Sequence, residues 1–232
     1  MFKLTKLITL AGEAGEAERE RVTAALTDAV HGIPDVSRGL VGSTLPGGVN
    51  CGDLMWHVQF RDEQAYRAAI QRPAWRAAEN LLSDAGSVAH VDSVRYIKEA
   101  FDIREPKLQN GIYRALIVRL RPSVPLEKLR QFEREMREMA RYVAAIRNWS
   151  FSRVIDGSGA RRWDYVWEQE FENTDALMGP YMIHPCHFGW IDRWFDPESQ
   201  DWIVDTQICH SFCTFTDSML SLPSSTSARS TT

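Results

Sequence analysis

Tyr181-Met-Ile-His184-Pro185-Cys186-His187-Phe188-Gly189 carries the strongest chemical signal in the chain. Two imidazoles flank a proline, and a phenol precedes the second imidazole by six residues. Histidine is the side chain that most readily exchanges protons near neutral pH. Proline is favoured at the first position of a helix, where its missing N–H has no partner in any case. His187 is therefore expected in a first helical turn. The positive end of that turn disfavours imidazolium and leaves a neutral, basic ring. Tyr181, across the helix break, is expected to face the same cavity. Tyr165 and Trp167 share one face of their strand by the two-residue period. The candidate catalytic residues are His187, Tyr181 and Tyr165. His184, Trp167, Trp163 and Phe188 are the candidate substrate-binding residues. Each also has a plainer reading: His184 as a helix cap, Tyr181 as core, and Tyr165 and Trp167 as ordinary strand packing. Glu168 and His57 point to the opposite face and read as a solvated pair, with a meeting across the two halves as the alternative.

The elements that must position these residues occur twice. Asp53-Leu-Met-Trp56-His57-Val-Gln-Phe60 matches Asp164-Tyr165-Val-Trp167-Glu168-Gln-Glu-Phe171 at an offset of 111. Arg72-Pro73-Ala-Trp75 lies opposite His184-Pro185-Cys186-His187 at 112, and His90-Val-Asp92 opposite Ile203-Val-Asp205 at 113. Matched blocks in one order indicate an internal duplication. The histidines occur only in the second copy, so one half reads as structural and the other as working.

With 232 residues, each copy is long enough to bury its own core. Apolar content of 44% and charged content of 25% suit a soluble globule. The net charge of −4, with no basic stripe, argues against nucleic acid as a partner. No apolar run reaches the roughly 18 residues of a membrane span. Cys51, Cys186, Cys209 and Cys213 make no disulfide framework, and a cytoplasmic location is expected. Trp149, Trp163, Trp167, Trp190 and Trp194 gather in the second copy, as core filling or as the walls of a flat aromatic pocket.

Period-two runs predict strands near 3–10, 38–43, 53–60 and 88–96, and helices over 14–31 and 62–82 with a break at Pro73. The second copy repeats the order. It has strands at 112–120, 148–155, 163–171 and 202–210, a turn at 156–159, an amphipathic helix over 125–146 and a helix over 174–195 broken at Pro185. The fold class is α+β: two tandem ferredoxin-like units, each β-α-β-β-α-β, burying their open sheet faces together as one α+β barrel. The expected divisions are a degenerate first repeat at 1–97, a linker at 98–110, a working second repeat at 111–215 and a disordered tail at 216–232.

The aromatic strand ending in Phe171, the Tyr181-x-x-His184-Pro-x-His187-x-Gly189 run and the later Asp205 strand together resemble the stress-responsive A/B barrel (Dabb) family of the dimeric α+β barrel superfamily. The likeness covers both copies and is strongest to a plant polyketide cyclase of that family. It implies a barrel of two units and a reaction without a cofactor, an aldol-type ring closure of a linear polyketide. His187 takes the place of the cyclase's catalytic histidine, and Tyr181 that of its pocket tyrosine. Tyr165 stands where the cyclase has a second histidine; a phenol there suits holding an oxyanion or a phenolic substrate. Trp75 and Arg72 occupy the matching places in the first copy, which cannot host the pair.

No metal site is expected, because the adjacent Cys186 and His187 point apart and no paired Cys-x-x-Cys occurs. Haem, which related barrels bind, ranks below the cofactor-free reading. The function expected is therefore a cofactor-independent lyase or cyclase acting on an aromatic or polyketide-like molecule. The alternative is a non-catalytic, stress-associated or ligand-binding barrel. The partners expected are a small aromatic substrate, no nucleic acid and no membrane, with the chain either a monomeric pseudo-dimer or a homodimer.

Overall fold

The computed structural model describes residues 1–12 and 15–221. The first copy runs β1 (Phe2–Leu10), α1 (Glu16–His31), β2 (Val36–Ser43), β3 (Leu54–Phe60), α2 (Glu63–Ala69), α3 (Pro73–Leu82) and β4 (Val88–Ile97). A short strand, β5 (Ala100–Ile103), follows. The second copy runs β6 (Ile112–Val118), α4 (Leu126–Tyr142), β7 (Asn148–Ser158), β8 (Tyr165–Phe171), a series of short helical turns, and β9 (Cys209–Thr214). These are two tandem ferredoxin-like units.

Matched residues do matched work. The Asp53 carboxylate accepts from the Leu10 N–H at 2.8 Å, and Asp164 accepts from Leu120 at 2.7 Å. Asp62 caps α2 by accepting from Ala65, and Asn173, 111 residues later, accepts from Ala176. Such a cap is worth about 1 kcal/mol. Trp56 and Trp167 both face the helices.

The third sequence block is not a structural repeat. Leu10 pairs with Val88 and Leu120 with Val204, so Val204 is the counterpart of Val88 rather than of Val91. Leu7 pairs with Asp92 and Ile117 with Cys209, which makes Cys209, not Asp205, the partner position of Asp92. Five extra residues between Tyr165 and Val204, relative to Leu54 and Val88, and one more before Cys209 put the last strand at 209–214 instead of 202–210. Backbone pairing along β6 decides the register, and a two-residue Val-Asp match cannot.

The sheet order is β2-β3-β1-β4-β7-β8-β6-β9. β4 and β7 pair antiparallel across the copies. On the far side, Leu45 N–H donates to the Phe212 carbonyl, and Val49 and His210 exchange both backbone hydrogen bonds. The barrel thus closes within one chain and leaves few bare strand edges. Its closure explains three departures from expectation. Residues 156–158 are strand rather than turn, because β4 pairs with them at Ser93↔Ser158. The 98–110 linker contains β5, paired with β7. Residues 218–221, expected in a disordered tail, are buried. Met219 and Leu220 fill one end of the barrel, and the buried Glu170 carboxylate accepts from the Leu220 N–H and the Ser218 hydroxyl. Residues 222–232 of the expected tail lie outside the described residues.

The helices cover the outer face of the sheet, giving one apolar core per copy, and a third core fills the barrel. The barrel interior also holds a polar network. Lys3 Nζ donates to both oxygens of Glu168 at 2.8 and 2.9 Å, and the Tyr113 hydroxyl donates to Glu168 at 2.7 Å. His57 Nδ1 lies 2.9 Å from Thr5 Oγ1, and its Nε2 lies 3.8 Å from Glu168. Glu168 and His57 are therefore no solvated pair. They are fully buried and meet across the copies, because inward positions of β3 and β8 face each other once the barrel closes. Among the described residues, no helix is long and apolar enough to cross a membrane.

Candidate active site

The segment after β8 is not one helix broken at Pro185. It is an α turn (Thr174–Ala176), a π turn (Leu177–Tyr181), a second π turn (Cys186–Ile191) and a 3₁₀ turn (Asp192–Trp194). Pro180 sits inside the first π turn and Pro185 heads the second. Proline removes a donor and crowds the preceding turn, and wide turns of this kind recur at functional sites. The segment lays Tyr181, Ile191 and Trp194 against the helix-facing side of β6 and β8.

Tyr181 and His187 come together as expected, with ring centroids 4.6 Å apart. Tyr181 is fully buried and its hydroxyl has no hydrogen-bond partner. His187 keeps 12% of its side chain exposed, and its Nδ1 lies 3.7 Å from Asp192 Oδ2, too far for a hydrogen bond. Burial, then the positive charge of Arg114, push the His187 pKa down to about 4. The ring is neutral at pH 7, as expected, but burial and Arg114 are the main causes. Burial raises the Tyr181 pKa, against the pull of Arg114, so its phenol stays a donor.

Arg114 is the residue that the sequence reading missed, together with Gln169, His210 and Asp192. Arg114 on β6 is only 4% exposed. Its Nη1 donates to Gln169 Oε1 on β8 and its Nε donates to His210 Nε2 on β9 at 2.6 Å. Burial, then Arg114, hold the His210 pKa at about 2, so His210 is a neutral acceptor. The guanidinium lies 5.6 Å from the Trp167 ring and 5.3 Å from the Tyr181 ring. Gln169 neighbours the Tyr181 hydroxyl, but their geometry falls short of a hydrogen bond. Trp167 Nε1 and Gln169 Nε2 are likewise buried without partners. Native proteins pair nearly all such atoms, so several orphans around one buried cation need a reason. A signal was available: Ile112, Arg114, Leu116 and Val118 share the helix-facing side of β6, and a lone arginine breaks that apolar row.

The other candidates fall elsewhere. The Tyr165 hydroxyl donates to Glu133 on α4 at 2.6 Å, and its ring stacks on Phe151. It does not reach the Tyr181–His187 pair. Trp163 belongs to the barrel core on the other side of the sheet. Residues 159–164 are not strand, so the two-residue alternation does not extend back to it. Phe188 is 58% exposed and walls nothing. His184 Nδ1 accepts from the Cys186 N–H at 3.1 Å, a local cap that holds the turn. Trp167 lines the cluster. Two cavities, of about 840 and 450 Å³, open elsewhere, by α1 and by α3, and neither touches Tyr181 or His187.

In the first copy, Leu4, Val58 and Trp75 stand where the second has Arg114, Gln169 and His187. Trp75 packs on Trp56 with centroids 4.7 Å apart, and its Nε1 donates to Glu79. An apolar pair fills the place of the cluster.

A closed barrel of two ferredoxin-like units, with a buried tyrosine and arginine and a half-buried histidine at the last helical segment of one unit, defines a class of α+β barrel proteins. The comparison with known families bears on the second unit. Residues 112–205 match the stress responsive A/B barrel domain. Solved structures share the two-unit arrangement. A candidate monooxygenase from Lactobacillus acidophilus aligns over 94% of this chain and 97% of its own, with TM-score 0.56 and 14% identity. An anthrone oxidase-like protein aligns over 93% and 91%, with TM-score 0.61 and 10% identity. A candidate monooxygenase from Fusobacterium nucleatum aligns over 95% of each chain, with TM-score 0.60 and 9% identity. At these identities the likeness is one of fold. No curated protein matches the sequence.

Proposed function

We propose that this protein is a cofactor-independent lyase or cyclase acting on an aromatic or polyketide-like small molecule, with His187 as the acid–base residue. The observation that carries the reading is the Tyr181–His187 pair, its hydroxyl and Nδ1 both buried without partners and its imidazole neutral. The neutral imidazole takes a proton from a carbon next to a carbonyl. The electron pair moves to the carbonyl oxygen, which the Tyr181 hydroxyl hydrogen-bonds. The carbanion attacks a second carbonyl of the same molecule, and the new alkoxide takes the proton back from imidazolium. Loss of water completes an aromatic ring. Retro-aldol cleavage is the reverse, and decarboxylation passes through the same enolate. Tyr165 takes no part in these steps, since Glu133 holds its hydroxyl.

A non-catalytic ligand-binding barrel is the second reading, and the complete burial of Tyr181 favours it. Mass-spectrometric turnover of phenolic acids, aryl-propanoid dimers and short poly-β-keto thioesters separates the two. Wild type and His187→Ala are compared at matched thermal stability. General acid–base catalysis predicts a loss of at least ~100-fold in the variant. Equal turnover removes His187 from the mechanism, and no turnover on the whole panel favours the binding reading.

A further inference from the structure

We propose that Arg114, held between Gln169 and His210, is an anion seat, and that the site takes an aromatic compound bearing a carboxylate or an ionised phenol. This rests on reading the Tyr181–His187 cluster as the site. Arg114 is buried, yet both of its hydrogen bonds go to neutral acceptors. Among the described residues, no carboxylate stands within ion-pair distance of it. Asp192 acts on it only through space, and its own pKa is raised by burial. A buried cation without a counter-charge is unfavourable, and a bound anion removes the deficit.

The orphaned atoms have a consistent polarity. Tyr181 Oη, Trp167 Nε1 and Gln169 Nε2 are buried donors without acceptors. An oxyanion, rich in lone pairs and without protons, accepts from donors of this kind, whereas an ammonium ligand offers the two N–H groups no acceptor. The Trp167 and Tyr181 rings beside the guanidinium suit a flat ring attached to that oxyanion. Entry requires the 177–191 segment to lift. Its Met178, Met182, Ile183 and Phe188 point to solvent and do not anchor it.

The seat also connects binding to proton transfer. His187 faces Arg114 from β6, His210 from β9, and His184, Tyr181 and Asp192 from its own segment. Glu135 on α4 is occupied by Arg193 and Trp194. An anion on Arg114 cancels one of the charges that keep the imidazole weakly basic. The base therefore strengthens when substrate is bound, toward the range where proton transfer at neutral pH is efficient.

The test uses benzoate, its neutral analogue benzamide, and 4-nitrophenol, whose absorbance reports ionisation. Arg114→Leu places the residue of the matching position, Leu4, on a strand that accepts it in the first copy. Wild type is expected to bind benzoate at least tenfold tighter than benzamide. It should hold 4-nitrophenol as the phenolate at a pH below that phenol's own pKa. The His187 titration followed by NMR should shift upward when benzoate is added. In Arg114→Leu both preferences vanish, and the His187 midpoint is already raised without ligand; Arg114→Lys restores part of the benzoate preference. A benzoate preference without phenolate binding assigns the seat to carboxylates, and the converse assigns it to phenols. If Arg114→Leu does not fold, Gln169→Val, matching Val58, must weaken the benzoate preference. Wild type treating benzoate and benzamide alike, or binding no probe, overturns the proposal, as does a preference that survives in Arg114→Leu. A preference that persists while His187→Ala turns over normally sinks the acid–base reading and leaves the seat standing. Intact His187-dependent turnover without any anion preference does the opposite.

Discussion

Replacing Lys3 with methionine should be among the most damaging single changes in this protein. Lys3 and Glu168 are both fully inaccessible, and the ammonium meets the carboxylate through two hydrogen bonds. Burial alone would raise the Glu168 pKa. The charge of Lys3 and the hydrogen bonds from Lys3 and Tyr113 outweigh it and hold the carboxyl below its ordinary value. Removing one partner of a buried pair costs about 3–5 kcal/mol, because the remaining charge is stranded. For a chain of this size, 1 kcal/mol moves the melting temperature by about 2–4 °C, so the expected fall is roughly 6–20 °C. The double variant Lys3→Met/Glu168→Gln removes both charges and keeps an acceptor for the Tyr113 hydroxyl. It should regain most of the loss, since neutral replacement of a whole buried pair is often nearly cost-free. Chemical denaturation of the wild type, both single variants and the double variant gives the coupling energy. A Lys3→Met cost below about 1 kcal/mol, or a double variant no better than the single, would refute the claim that closure of the barrel desolvates this pair.

Two more outcomes follow from the geometry. Tyr165→Phe should lower stability by about 1.5–3 kcal/mol, the usual range for a hydrogen bond to a charged group, and leave turnover unchanged. A tenfold drop in kcat at unaltered stability would put the Tyr165 hydroxyl back among the reacting groups. Acid should destabilise the fold from about pH 6.5 downward. Burial holds His57, His187 and His210 neutral, with pKa values of about 3, 4 and 2. Below the ordinary histidine pKa of about 6.5, the unfolded chain gains protons that the native state refuses, so stability falls with pH until each folded pKa is reached. The loss is on the order of 2 kcal/mol per histidine by pH 5, and Glu168 adds to it in the same direction at lower pH. Urea midpoints at pH 7.5 and pH 5 measure it, and equal midpoints would show that these rings protonate in the native state.

What the sequence determined was local or repeated. Asp53 and Asp164, Trp56 and Trp167, and Phe60 and Phe171 recur at one offset because each pair does one job in one unit, a strand-end acceptor or a helix-facing ring. Tyr181 and His187 were legible for a related reason: they lie six positions apart with Pro185 between them, so the segment itself brings them together. The sequence failed wherever partners come from distant strands. Glu168 and His57 looked solvated because alternation says only that a residue faces away from the helices; barrel closure then turns that face into an interior. Trp163 falls in the barrel core, away from the site, because the stretch before Tyr165 is not strand. Cys209 replaced Asp205 as the partner of Asp92's position because hydrogen-bond register along β6, not residue identity, sets the alignment. Arg114, Gln169 and His210 lie on three strands, and no spacing links them. Their chemistry exists only after β8, β6 and β9 pair side by side, because desolvation and through-space charge act over ångströms between strands that are dozens of residues apart along the chain.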